Sequence, residues 1–237
     1  MSAFTSPNHN ARPEGTRPDI IVIHYTDMAS ADAAARWLCN PASKVSCHYL
    51  IEAGGRLVQM VEEERRAWHA GLSFWDGTDD INSRSIGIEL DNPGHRPDAP
   101  TFPDAQIEAL IDLVAQIRGR WPVPKRNVVA HSDIAPMRKI DPGERFPWRT
   151  LALAGHALYV PPPETPATYD EAALKATLRE AGYGVEDDEA AFAALVRAFH
   201  RRHLPERVEA PADGWTLAAA RAFAEAVRAE RAAAALS

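Results

Sequence analysis

The segment Asp19-Ile20-Ile21-Val22-Ile23-His24 holds four consecutive β-branched residues and then turns polar. A continuous apolar run, rather than an alternating one, predicts a strand covered on both faces. Ser85-Ile86-Gly87-Ile88-Glu89-Leu90 and Asn127-Val128-Val129-Ala130-His131 have the same character. The stretch from His48 to Glu52 and that from Arg56 to Val61, separated by Gly54-Gly55, predict a hairpin. Ala29 to Leu38 predicts a short helix with Ser30 as a candidate N-cap. From Pro103 to Arg120, apolar residues at Ile107, Leu110, Ile111, Val114 and Ile117 trace one face of a longer helix. Strands mixed with helices specify an α/β fold, a mixed central sheet with flanking helices.

The pattern changes after residue 158. Val160-Pro161-Pro162-Pro163-Glu164-Thr165-Pro166 predicts an extended linker. Beyond it the chain is rich in Ala, Arg and Glu and carries no strand pattern; three helices are expected, over Tyr169 to Ala181, Glu189 to His203 and Trp215 to Ala235. The expected organisation is therefore a domain over residues 1–158, a proline-rich linker over 159–168 and a small helical module over 169–237. A module of about seventy residues is near the lower limit for independent folding.

Composition narrows the function classes. The 237 residues are 46% hydrophobic and carry a net charge of −7. A core is within reach, and no basic stripe marks a nucleic-acid surface. No apolar run is long enough to span a bilayer. The N-terminal stretch lacks a basic start followed by an apolar segment, so a cytoplasmic location is expected, with the periplasm as the alternative. Cys39 and Cys47 are too few for a disulfide framework and lack the spacing of a zinc knuckle; free thiols are the expected state, with one bridge across a short loop the alternative in an oxidising compartment.

Two histidines, His24 and His131, end apolar strands, where α/β sheets commonly build sites. Ten residues after His131 comes Asp141, in a loop where Pro136, Pro142 and Gly143 mark turns able to bring it back beside His131. Two neutral imidazoles and one carboxylate form a common catalytic zinc set with a fourth position for water. Taken singly, each histidine is better read as a structural side chain satisfied by hydrogen bonds, and the HExxH motif is absent. Glu89 sits among Ile86, Ile88 and Leu90, where a carboxylate is costly unless paired or functional. Lys139 is either an oxyanion stabiliser or a loop surface charge. Tyr49 is either a phenol near the site or a core residue. A cysteine nucleophile at Cys47 next to His48 is disfavoured, because adjacent strand residues point to opposite faces.

Taken together, five segments resemble one family: Ile21-Val22-Ile23-His24-Tyr25-Thr26, Val45-Ser46-Cys47-His48-Tyr49-Leu50-Ile51, Arg66-Ala67-Trp68-His69-Ala70-Gly71, Asn82 to Leu90, and the loop from His131 to Asp141. Over roughly residues 17 to 155 the chain resembles the zinc-dependent N-acetylmuramoyl-L-alanine amidases of the type 2 amidase family, relatives of peptidoglycan-recycling amidases and of peptidoglycan recognition proteins. The resemblance implies one zinc ion on His24, His131 and Asp141, acid/base work by Glu89, and transition-state stabilisation by Lys139. It also implies that Tyr49 lies near the metal and that Trp68, His69 and Asn82 line the substrate groove. Cys47 departs from the small residues usual at its position. The helical tail, through Leu174 to Tyr183 and Val196 to His203, is similar to a three-helix peptidoglycan-binding module, without its Asp-Gly turn and without a glutamine near His200.

The implied activity is hydrolysis of the amide between N-acetylmuramic acid, or its 1,6-anhydro form, and L-alanine, in peptidoglycan or muropeptides. The rival is a non-catalytic peptidoglycan-recognition protein, as in relatives that lose a zinc ligand. Intact wall or released muropeptide, the stem peptide and the oligomeric state are left open by the sequence.

Overall fold

The computed structural model describes residues 4–96, 98 and 100–236. Seven strands run β1 His9–Ala11, β2 Ile20–Tyr25, β3 Tyr49–Ile51, β4 Leu57–Gln59, β5 Arg65–Ala67, β6 Ser85–Leu90 and β7 Val128–Ala130. The α-helices are α1 Ala31–Leu38, α2 Ile81–Arg84, α3 Asp104–Arg120, α4 His131–Ile134, α5 Trp148–Leu153, α6 Glu171–Glu180, α7 Glu189–His203 and α8 Gly214–Ala234. The main sheet has the order β4-β3-β6-β2-β7. All its pairs are parallel except the β3–β4 hairpin, so the sheet is mixed. β1 and β5 form a separate antiparallel pair, which the apolar pattern does not announce.

The run Ile20 to Ile23 is buried throughout because both faces of β2 are covered. One face, through Ile21, Ile23, Ile86, Ile88 and Tyr49, packs beneath α3 and α5. The expected stripe of α3 is buried, except that Leu113 replaces Ile111 at the centre of the contact. On the other face Leu50 and Cys47 meet Ala35 and Leu38 of α1. Also on that face, Ile20, Val22 and Val129 pack with Leu174, Leu178, Phe199, Leu217 and Phe223 of the C-terminal helices.

The three C-terminal helices form close to their expected bounds, each opened by an aspartate. Asp170, Asp188 and Asp213 accept hydrogen bonds from first-turn amides and so satisfy donors that a helix leaves free. Ser30 caps α1 in the same way. The composition of residues 159–168 suggests a tether between separate parts, but the apolar contacts run across it. The tail is continuous with the core of the sheet, and its apolar faces are occupied by that packing.

Candidate metal centre and active site

The site is built where parallel strands end. β2 delivers His24, β6 delivers Glu89, and β7 leads directly into α4, whose first residue is His131. The loop after α4 returns so that the Ser132 amide donates to the Asp141 carbonyl at 3.0 Å. His24 Nδ1 lies 2.9 Å from His131 Nδ1, and each is 3.0 Å from Asp141 Oδ2. All three residues are buried.

Three electron-rich atoms converging at this spacing repel one another unless a proton or a cation lies among them. Two ligands about 2.0–2.1 Å from a tetrahedral zinc ion stand roughly 3.3 Å apart, so the donor set and its spacing fit such an ion. The outer hydrogen bonds set the tautomers to match. His131 Nε2 donates to the Ala70 carbonyl at 3.2 Å, which leaves Nδ1 with a free lone pair. His24 Nε2 donates to His69 Nδ1 at 3.1 Å, and His69 Nε2 in turn donates to Ser85 Oγ at 3.1 Å. Burial, followed by the neighbouring His131, pushes the His24 imidazole down to about 4, so it is neutral at pH 7. Burial alone would raise the Asp141 carboxyl. The adjacent imidazoles, His131 first and then His24, outweigh burial and hold it well below the usual carboxylate range.

These three residues lie at a cavity of about 360 Å³ that also reaches Glu89, Lys139 and Arg138. Trp37, Val45 and Ile140 form part of its walls and are substantially exposed. Glu89 Oε2 is buried and has no hydrogen-bond partner among the described residues. Burial, then the Asp141 charge, pushes its carboxyl well above the ordinary range, while Lys139 opposes the shift. The cavity therefore brings together a potential metal triangle, a buried carboxyl and a cation. Arg138 ties the loop to its neighbour through the Ala70 and Leu72 carbonyls.

The remaining expected site residues are placed differently. Tyr49 pairs in register with Ile88, not with Glu89, so the pleat turns it to the far side of the sheet. There its hydroxyl donates to Glu63 at 2.7 Å. His69 touches the cavity, yet its ring lies against Gly87 and its hydrogen bond orients His24; a Cβ on Gly87 would come within 2.5 Å of that ring. Asn82 is a buried backbone organiser, accepting the His69 and Ala70 amides at 3.0 and 2.9 Å. Trp68 is half-buried, donates to Asn10 at 2.7 Å and does not line the cavity.

Cys47 packs its sulfur 3.7 Å from that of Met60, and burial raises its thiol pKa. His48 commits Nδ1 to the Gly87 amide, so the pair is no nucleophile and base. Both cysteines are free thiols. Arg12, unmarked by any motif, donates to the carbonyls of Glu63, Asn82, Ser83 and Ser85 and knits the segments behind the site together. No described helix is long and apolar enough to cross a membrane.

Residues 14–144 match the family model described as N-acetylmuramoyl-L-alanine amidase. The N-acetylmuramoyl-L-alanine amidase AmiD of Escherichia coli is 38% identical over 88% of this chain and 83% of its own length. The 1,6-anhydro-N-acetylmuramyl-L-alanine amidase AmpD of Enterobacter cloacae is 35% identical over 60% of this chain and 83% of its own. Among solved structures, E. coli AmiD in complex with the substrate anhydro-N-acetylmuramic acid-L-Ala-D-γ-Glu-L-Lys is similar with a TM-score of 0.81 and 37% identity, over 90% of this chain and 92% of that one. AmpDh3 of Pseudomonas aeruginosa in complex with anhydromuramic pentapeptide has a TM-score of 0.76 at 34% identity, over 92% and 95%. With the fold, the strand-end site and these likenesses in agreement, the chain belongs to the type 2 family of N-acetylmuramoyl-L-alanine amidases, hydrolases of a carbon–nitrogen amide bond.

Proposed function

We propose that this chain cleaves the amide between the lactyl group of N-acetylmuramic acid, or of its 1,6-anhydro form, and L-alanine, in muropeptides or peptidoglycan. Zinc is the metal assigned to His24 Nδ1, His131 Nδ1 and Asp141 Oδ2. The observation that carries the reading is that triangle of donors beside Glu89, whose Oε2 has no partner among the described residues, in one cavity. The two solved relatives bound to anhydromuramoyl peptides support the substrate class. The cavity has a polar floor and partly exposed apolar walls at Trp37, Val45 and Ile140, which suits a ligand that is part sugar and part peptide.

Bound there, zinc supplies Lewis acidity, polarising a carbonyl and making water nucleophilic at neutral pH. His24 and His131 hold their Nδ1 lone pairs toward it because their Nε2 atoms are committed to His69 and Ala70. Glu89 takes the proton of the attacking water on its unpartnered oxygen and returns it to the leaving L-alanine nitrogen. Lys139 offsets the negative charge that develops on the former carbonyl oxygen.

The test is mass spectrometry of products from an anhydro-muropeptide and from intact peptidoglycan, before and after chelation and zinc readdition. Free stem peptide and an intact amino sugar are expected, lost on chelation and recovered with zinc. Untouched substrates from the zinc-loaded protein would overturn the reading.

A further inference from the structure

We infer that Arg202 and Asp133 are a positioning pair for His131, through which the C-terminal helices set the geometry of the metal centre. The inference rests on the zinc reading above. The sheet has a weak point: β7 is three residues long, lies at the edge and, among the described residues, pairs only with β2, yet it leads directly into His131. So short an edge strand has little of its own with which to hold the residue at its end.

The tail braces β7 at both ends. Ahead of the strand, the Glu230 carboxylate of α8 accepts the Lys125 and Arg126 amides at 2.7 and 3.1 Å. Past the strand, Arg202 of α7 reaches in with its guanidinium stacked over the Trp148 ring, 4.0 Å from its centroid. Arg202 Nη1 donates to Asp133 Oδ2 at 2.7 Å, and Nη2 donates to the Val128 and Leu158 carbonyls, each at 3.2 Å. Asp133 Oδ2 also accepts the Ala130 amide at 2.9 Å, while its Oδ1 accepts the Tyr183 hydroxyl at 3.3 Å. A single ion pair, its side chains 1% and 0% exposed, thus ties the backbone just before His131, at Val128 and Ala130, to Asp133 two residues after it. Between His131 and Asp133 stands Ser132, whose amide holds the Asp141 carbonyl.

A buried ion pair is a poor device for stability, since its desolvation cost often exceeds the attraction and apolar replacements are frequently neutral or better. What it supplies here is direction. The forked guanidinium fixes Val128 and Asp133 relative to each other, and His131 lies between them.

The experiment uses the full chain and measures zinc affinity by competition with a chromophoric chelator, together with the visible spectrum of the cobalt-substituted protein and a melting curve. The double variant Arg202→Met/Asp133→Asn removes the pair without leaving a lone buried charge. It is expected to bind zinc about 10–100-fold more weakly, as for other partners that orient a metal ligand, and to shift the cobalt spectrum, at temperatures where it is fully folded. Should the double variant fail to fold, Arg202→Lys keeps the charge but loses the fork, and a weaker fall is expected. Leu217→Ala, which opens a void in the shared apolar core without removing any partner of the ion pair, is expected to lower the melting temperature and leave zinc affinity unchanged. Wild-type affinity in the double variant, or in Arg202→Lys where that is the one that folds, would overturn the inference. So would an equal affinity loss in Leu217→Ala. A wild-type chain that binds no zinc would sink the zinc reading and this inference with it, and is told apart by that control alone.

Discussion

His24 and Glu89 are register partners in the parallel β2–β6 pair, so their imidazole and carboxylate leave the sheet on the same face. Gly87, two residues before Glu89, faces the same way and makes room for the His69 ring that holds His24. Shifting β6 by one residue would send Glu89 into the core beneath α3, and shifting β2 would do the same to His24. The position of the carboxylate beside the donor triangle is thus a property of the sheet register rather than of a flexible loop.

Removing any donor should remove the metal. His24→Ala, His131→Ala and Asp141→Ala are each expected to lose stoichiometric zinc and turnover while keeping the far-ultraviolet circular dichroism of the parent. Elemental analysis after dialysis reads the first property directly. Full zinc content in any one of the three would show that the ligand set is wrongly drawn.

Chemistry should separate from metal binding at Glu89 and Lys139. Glu89→Gln is expected to retain zinc and lose roughly 10²–10⁴-fold in rate, the usual worth of an acid/base group. Lys139→Ala is expected to retain zinc and lose roughly 10²–10³-fold, as for one oxyanion donor. Near-normal turnover by Glu89→Gln would require another proton carrier at the cavity.

A Cβ at position 87 tests the support behind His24. Gly87→Ala places that atom against the His69 ring, which must move and release His24 Nε2. Zinc affinity should fall about 10–100-fold, with β6 otherwise intact. An unchanged affinity would mean that His69 does not orient His24.

Much of this site is legible along the chain because a polar residue that ends a buried apolar run stands out, as His24 and His131 do, and because Pro136, Pro142 and Gly143 announce the turning loop before and after Asp141. Glu89 is conspicuous for the same reason, a carboxylate among isoleucines. Tyr49 shows the limit. Its sequence places it on a strand but not in a register, and pairing with Ile88 instead of Glu89 decides its side. His69 and Asn82 depend on a loop folding back onto β6, a contact with no sequence period. The tail is the largest difference: its amphipathic helices are visible in the sequence, but nothing in their spacing says that the surface they cover is the sheet itself.

Acid should destabilise the fold through His48. Its Nδ1 accepts the Gly87 amide at 3.0 Å and its Nε2 faces the Arg65 carbonyl at 3.1 Å, so the neutral ring is satisfied and a second proton has no acceptor. Burial, then the Arg12 charge, pushes it down to about 3, against about 6.5 in the unfolded chain. The unfolded state therefore gains a proton first as pH falls. The stability contribution is whole above pH 6.5 and is lost progressively toward pH 3, by roughly 2 kcal/mol between pH 6.5 and 5. Urea unfolding of the parent and of His48→Gln across that range should give a shallower pH dependence in the variant. Identical slopes would remove His48 from the account.

Truncation after residue 160 tests whether the two parts are separable. The proline-rich composition of the linker argues for separation, and so does AmpD, which matches only 60% of this chain while being covered over 83% of its own length. Against this stands the core itself. Without the tail, Ile20, Val22, Trp75, Val129 and Ile134 lose the apolar partners that bury them. Asp133 also becomes a carboxylate without its Arg202 partner, and removing one member of a buried pair typically costs about 3–5 kcal/mol. Domains of this size are stable by only about 5–15 kcal/mol, so the combined loss is of the order of the whole. The fragment of residues 1–160 is therefore expected to lack a cooperative melting transition, to bind hydrophobic dye and to hold zinc poorly. A fragment that melts cooperatively, binds one zinc and processes a soluble muropeptide at the full-length rate would show the opposite, that the helices after the linker are an accessory. The decisive comparison would then be between soluble and insoluble peptidoglycan, where a tethering module acts only on the second.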